Sequence, residues 1–273
     1  MPYRFAIAGF PFELACEADC LASLDQDWRE FRSTEIPQTH IRLELLPAVN
    51  HSMDQQMPLP TVTRGAEGGL AISGEGFEAR VSADRRFAQV FSPPERFPLE
   101  AVVRILLADL LLARDGLLLH SVGIEVDRCA AVFVGASGAG KSTLGGLCRD
   151  AGLRCLSDEL VAVAPVASGY LAYGTPWNIG RCARAELRML GVLEHAAHAV
   201  VEELPAAELL RALLPNALMP DPSAETRARM FRGACTLVSS ANAVRLRFGR
   251  EPGVAATLAN ELRSSSPAHS NAA

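Results

Sequence analysis

The run Gly135-Ala136-Ser137-Gly138-Ala139-Gly140-Lys141-Ser142-Thr143 fits the pattern G-x-x-x-x-G-K-[ST]. It is preceded by the apolar segment Ala130-Ala131-Val132-Phe133-Val134 and followed by a helix-compatible segment over 142–150. Strand, glycine-rich turn and helix in that order are the setting in which the pattern acts as a phosphate cradle. Glycines let the backbone curl so that successive N–H groups converge on anionic oxygens, and the helix adds its positive N-terminal end. With Gly near 7% of residues, a chance match in a chain of this length is on the order of one in a hundred. The reading assigns the nucleotide's phosphates to Gly135, Ser137, Gly138, Ala139, Gly140, Lys141, Ser142 and Thr143. Lys141 would reach the β- and γ-phosphates, and Ser142 would ligate Mg²⁺.

The segments on either side set the fold class. Leu117-Leu118-Leu119-His120-Ser121-Val122 and the run ending at Val134 are apolar throughout, as strands buried on both faces are. Leu153 to Leu156 and Leu160 to Val163 read as further strands, and Val244 to Phe248 as a late one. Helical patterns are expected at Ala183 to Leu190, Glu202 to Leu214 and Gly253 to Leu262. The order is mixed α/β.

Upstream the pattern changes. The N-terminal residues 1–10 read as a first strand, and Ile41-Arg42-Leu43-Glu44-Leu45 alternates apolar and polar side chains. Gly69 to Ser73, Phe77 to Val81 and Phe87 to Phe91 are spaced as an antiparallel meander, with Gly74-Glu75-Gly76 as a hairpin turn. The polar, proline-bounded stretch from Pro47 to Pro60 is expected to be a loop, and Leu99 to Ala113, apolar around most of its circumference, a largely buried helix. The expected domains are a β-rich one over 1–95, serving acceptor binding, a catalytic one over 96–262, and a disordered tail over 263–273.

Composition narrows the function. Of 273 residues, 49% are hydrophobic, and 26 Lys+Arg against 31 Asp+Glu leave a net charge of −5, without the basic stripe that binding to nucleic-acid phosphates requires. The longest apolar stretch, Ile105 to Ala113, is broken by Asp109 and falls short of the roughly 20 residues of a membrane span. Seven cysteines without a framework spacing fit reduced thiols in the cytoplasm. Cys129 and Cys155 read as small hydrophobes. His195 and His198, expected at i and i+3 of a helix, lack further ligands at metal-binding spacing.

Beyond the loop, Leu156-Ser157-Asp158-Glu159-Leu160 sets two acids in an apolar strand region, where a charge needs a partner and a cation serves. His120 precedes the loop, and the acids follow directly after the loop's helix. With these three elements in order and spacing, residues 117–180 resemble the catalytic domain of HPr kinase/phosphorylase and its smaller HPr-kinase-like relatives. Tyr173-Gly174-Thr175-Pro176-Trp177 also looks like a segment of such proteins in peptide-modification gene clusters, including kinases of lasso-peptide precursors.

The resemblance implies a P-loop kinase domain with a mixed central sheet, using ATP and Mg²⁺ to phosphorylate a serine hydroxyl on a peptide or small protein. It implies catalytic roles for Asp158, His120 and Lys141. Asp158 is assigned to the substrate hydroxyl and Ser142 with Glu159 to the metal; the opposite division of the two acids stays open. Trp177 and Arg181 are candidates for the acceptor pocket, an Arg being suited to bidentate phosphate contact. Glu159 stands where the bifunctional enzymes carry Asp, and their downstream glycine-rich phosphorylase signature has no counterpart here, so dephosphorylation is not expected. A small-molecule hydroxyl as acceptor, a slowly hydrolysing assembly factor, and self-association are also left open.

Overall fold

The computed structural model describes residues 2–16, 24, 26–46, 59–93, 95–251 and 253–265. The chain is α/β, with a seven-stranded and an eight-stranded sheet, both mixed. It divides into two units: Met1–Leu110 with Met219–Arg227, and Leu111–Leu218 with Ala228–Ala273. The helix Arg96–Leu112 (α1) therefore belongs mainly to the first unit, whereas the sequence placed it at the head of the catalytic domain.

In the first unit the strands are β1 (Tyr3–Ile7), β2 (Phe10–Ala15), β3 (Thr39–Leu45), β4 (Thr61–Arg64), β5 (Leu70–Gly74), β6 (Phe77–Val81) and β7 (Phe87–Ser92), in the order β1-β2-β3-β7-β6-β5-β4. The meander β5-β6-β7 is antiparallel as its alternation predicts, while β3 runs parallel to both β2 and β7. Phe5 stacks on Phe12 with ring centroids 5.2 Å apart, and Trp28 meets Phe5 edge-on at 4.9 Å. A charged cluster ties the returning segment to this unit. Arg64 donates to Asp221 (Nε, 3.0 Å; Nη2, 2.6 Å) and to Asp109 at 2.5 Å, and Arg85 donates to Asp109 at 2.6 Å. Burial opposes the Asp221 charge, but Arg64, Ser223 and Thr226 outweigh it and hold the carboxyl well below its usual range. The polar stretch read as a loop lies, over 47–58, outside the described residues.

The second unit contains β8 (Leu117–Val126), β9 (Cys129–Val134), α2 (Lys141–Asp150), β10 (Arg154–Ser157), β11 (Leu160–Val166), β12 (Gly169–Tyr173), β13 (Arg184–His195), β14 (Val200–Glu203), α3 (Ala206–Leu213), α4 (Ala224–Ser239, whose first turn lies in the first unit), β15 (Asn242–Phe248) and α5 (Gly253–Ser264). The first part of β8 pairs with β11 and the remainder with β9 and β10. Strand β9 runs parallel to β13, and β13 parallel to β15. Alternation along β9 buries both sheet faces. Ala130, Val132 and Val134 join Leu209, Leu213 and Leu237 from α3 and α4; Ala131 and Phe133 join Leu144, Cys148 and Leu258 from α2 and α5. These apolar faces hold the end of β9, and the glycine-rich loop that leaves it, in place.

Four sequence expectations are corrected. Ala183 to Leu190 is not a helix: Arg184–His195 is a strand in which Ala185, Leu187 and Met189 are buried and alternate with less buried Glu186 and Arg188. Ala, Glu, Leu, Arg and Met favour helix locally, but pairing with β9, β12 and β15 overrides that preference. Glu202 to Leu214 is split by Pro205, with strand β14 before it and α3 after it. His195 ends a strand and His198 lies in the bend that follows, so they share no helix face. Helix α5 runs to Ser264, beyond the expected start of the tail at 263, and 266–273 lie outside the described residues. No described helix is long and apolar enough to cross a membrane, and no disulfide joins the described cysteines.

Candidate functional site

The loop between β9 and α2 is curled by its glycines. Gly138 has φ 82° and Gly140, capping α2, has φ 98°, conformations that a side chain strains. A Cβ on Gly135 would stand 2.8 Å from the Ala139 Cβ. Ala139 itself packs toward the core, leaving its backbone for the loop. Lys141 is buried, and its ammonium folds back to donate to the carbonyls of Gly135 at 2.7 Å and Ala136 at 3.2 Å. Desolvation lowers its pKa from the ordinary lysine value. At the loop's edge His195 Nε2 lies 3.0 Å from the Gly138 carbonyl oxygen, a contact the sequence did not reveal.

The acids follow from strand geometry. Asp158 and Glu159 form the bend between β10 and β11, both of which pair with β8. Ser157 Oγ accepts the N–H groups of Glu159 and Leu160 at 3.3 Å each, which fixes the bend. Register pairs His120 with Leu160, and the Ser121 N–H donates to the Glu159 carbonyl at 3.1 Å. His120 is thereby brought beside the acids, and it is exposed rather than a core residue. From the other side α2 approaches closely: a Cβ on Gly145 would lie 3.2 Å from the Asp158 Cβ and 3.3 Å from the Cys155 Sγ.

These elements enclose a cleft of about 350 Å³ lined by His120, Ser137, Gly138, Gly140, Lys141, Ser142, Thr143, Asp158, Glu159 and Asn178. Nine of these ten were singled out in the sequence. Asn178 was not; it sits in the turn after β12 and donates to Asp158 Oδ1 at 2.8 Å. Its positive φ of 52° is the local signature that a sequence reading misses. The proposed acceptor-pocket residues do not line the cleft. Trp177 is fully buried, and Arg181 is exposed, its backbone N–H donating to the Leu156 carbonyl at 3.0 Å.

Chemically, a glycine-rich loop leading into a helix N-terminus and a buried ammonium suit anionic oxygens, while two acids lining the same cleft as Ser142 suit a divalent cation or a proton. No cluster of three or more His, Cys, Asp or Glu among the described residues could hold a metal unaided. A Mg²⁺ ion here would be held by Ser142 and an acid together with a ligand's oxygens and water, which is how that cation is usually bound. No family model matches the chain, and no curated protein matches it.

Proposed function

We propose that the chain is an ATP- and Mg²⁺-dependent kinase of the HPr-kinase type, transferring the γ-phosphoryl group to a serine hydroxyl of a peptide or small protein. The observation that carries this reading is the cleft in which the glycine-rich loop, Lys141 and Ser142 meet Asp158, Glu159 and His120. A loop followed by a distant acid would serve nucleotide hydrolysis equally well. An acid pair and a histidine on neighbouring strands suit an acceptor hydroxyl held against the transferred group.

The loop's N–H groups and Lys141 would grip the phosphates and neutralise charge as it builds, the largest contribution where the transition state is loose. Mg²⁺, when bound, would supply Lewis-acid stabilisation of the developing phosphate charge. Ser142 and Glu159 would hold it. Asp158 would orient the acceptor serine and take its proton as the new Oγ–P bond forms and the bond from γ-phosphorus to the bridging oxygen breaks, leaving ADP. His120 would lie near the transferred group as a hydrogen-bond donor.

The test follows the label from γ-labelled ATP and Mg²⁺ into a size-fractionated extract of the cells that encode the protein, with Lys141→Ala as control. Label in a peptide or protein fraction, stable to acid and lost to base, is the expected result. Label confined to free phosphate would refute the kinase reading in favour of a nucleotide-dependent assembly factor, and label in a small-molecule fraction would refute the peptide acceptor.

A further inference from the structure

The turn that brings Asn178 to the cleft is built more rigidly than a connecting loop requires. A Cβ on Gly174 would lie 2.0 Å from the Arg181 carbonyl oxygen, and one on Gly180 would lie 1.5 Å from that of Thr175, so only glycine fits at either end. Thr175 Oγ1 donates to the Leu160 carbonyl at 2.6 Å, and the Arg181 N–H donates to that of Leu156 at 3.0 Å. Those two anchors straddle the acids, on either side of the Ser157–Glu159 bend. At the apex Asn178 adopts φ 52°, a left-handed conformation that asparagine tolerates better than most residues.

What this scaffold delivers is one oriented donor. Asp158 is buried, and its Oδ1 receives the Asn178 amide at 2.8 Å and the Ile179 N–H at 3.4 Å. Among the described residues no protein donor meets Oδ2. Asn178 itself is exposed and lines the cleft, so water could solvate its amide in its place, and the bond adds little to folding. A neutral amide fixes the carboxylate's rotation while leaving its charge intact, and so determines which oxygen faces the cleft.

We propose that Asn178 is a positioning residue that clamps Asp158 Oδ1 and thereby presents Oδ2 to the acceptor hydroxyl. The inference rests on the kinase reading for the identity of the acceptor, while the clamp itself is scored on any turnover of the γ-phosphate. Asn178→Gly keeps the backbone conformation and deletes the donor; Asn178→Asp keeps the shape and replaces the donor with a second carboxylate.

The experiment measures γ-labelled ATP with Mg²⁺, both for release to water and for transfer into the fractionated extract, in Asp158 and Asp158→Asn backgrounds. Unfolding midpoints are taken on the same samples. Asn178→Gly is expected to lower kcat about 10- to 100-fold with KM for ATP unchanged within about twofold and the midpoint unmoved. Asn178→Asp should lose at least as much, because it removes the amide donor that orients Asp158 Oδ1. In the Asp158→Asn background Asn178→Gly should have no further effect. A kcat within twofold of the parent, an equal loss in both backgrounds, or unfolding of both variants would overturn the clamp. Release to water without transfer would refute the kinase reading while the cycle still scores Asn178, and a parent protein with neither turnover would refute both.

Discussion

Gly145 offers a test of whether the spacing between α2 and the acid pair governs chemistry. It lies inside a helix, where glycine is less favourable than alanine by about 1 kcal/mol, so Gly145→Ala should gain about that much from the backbone. The added methyl would stand 3.2 Å from the Asp158 Cβ and 3.3 Å from the Cys155 Sγ. Carbon contacts are comfortable at about 3.5–4.0 Å, so the helix and the acid must separate by about 0.4 Å, and overpacking of this kind costs about 1 kcal/mol. The two stability terms cancel. If misplacement by about 1 Å costs about 100-fold, a shift of this size costs about sixfold in kcat. Gly146→Ala is the internal control: a Cβ there meets only the Arg149 Nη2 at 4.0 Å. It should gain about 1 kcal/mol and leave kcat unchanged. Turnover of γ-labelled ATP at saturating concentration, read beside urea unfolding, separates the two variants. If Gly145→Ala turns over as fast as Gly146→Ala, the close approach of α2 to Asp158 plays no part in the reaction.

Three further outcomes are expected. Lys141→Ala should reduce turnover by about 10³-fold or more with weakened ATP binding, whereas Asp158→Ala should lose transfer with ATP affinity within a few-fold, both read by titration and label transfer. Asp221→Ala should cost about 3 kcal/mol, the low end for a broken buried pair because Arg64 keeps Asp109, and should move the urea midpoint by about 1.5 M. Because the Asp221 carboxyl is held below its ordinary value of 3.8, its contribution is present above that pH and is lost as pH falls below it. Burial pushes the Cys148 thiol up to about 12 and the Cys155 thiol up to about 11 from an ordinary 9.0, so their contribution is intact below pH 9 and declines as pH rises toward those values. A Cys148→Ala, Cys155→Ala double variant should show a shallower alkaline loss in urea unfolding.

What the sequence revealed, and what it hid, divides along local and non-local physics. The β9-loop-α2 unit was legible because every part of it is local: an apolar strand, glycines where the backbone must turn, and a helix start. The β5-β6-β7 meander was legible for the same reason, its period-two alternation being interrupted by short turns. Strand β13 was hidden because its residues favour helix in isolation and became a strand through β9, β12 and β15. The parallel pairing of β3 with β2 and β7 depends on crossovers that leave no mark in β3 itself. Within the cleft, residue chemistry exposed the acids and the lysine, but Asn178 takes its place from a left-handed φ and a contact across twenty positions. Trp177, beside it, carried the more conspicuous side chain and turned out to be buried packing.

The return of Met219–Arg227 to the first unit sets an order on synthesis. Arg64 and Asp109 are made early, yet Asp221, the partner Arg64 bonds through two nitrogens, is 157 positions beyond Arg64 in the chain. A ribosome adding about 5–20 residues per second leaves that guanidinium waiting for roughly 10–30 seconds. During that interval the nascent first unit lacks one of its closing pieces, while residues 111–218 are still being added. Fragments cut near residue 110 would retain the seven strands yet omit the segment that closes their charged cluster, so expressing that half alone should give a protein prone to aggregation. A rearranged chain in which 219–227 directly follows α1 would shorten the wait to about 3–10 seconds.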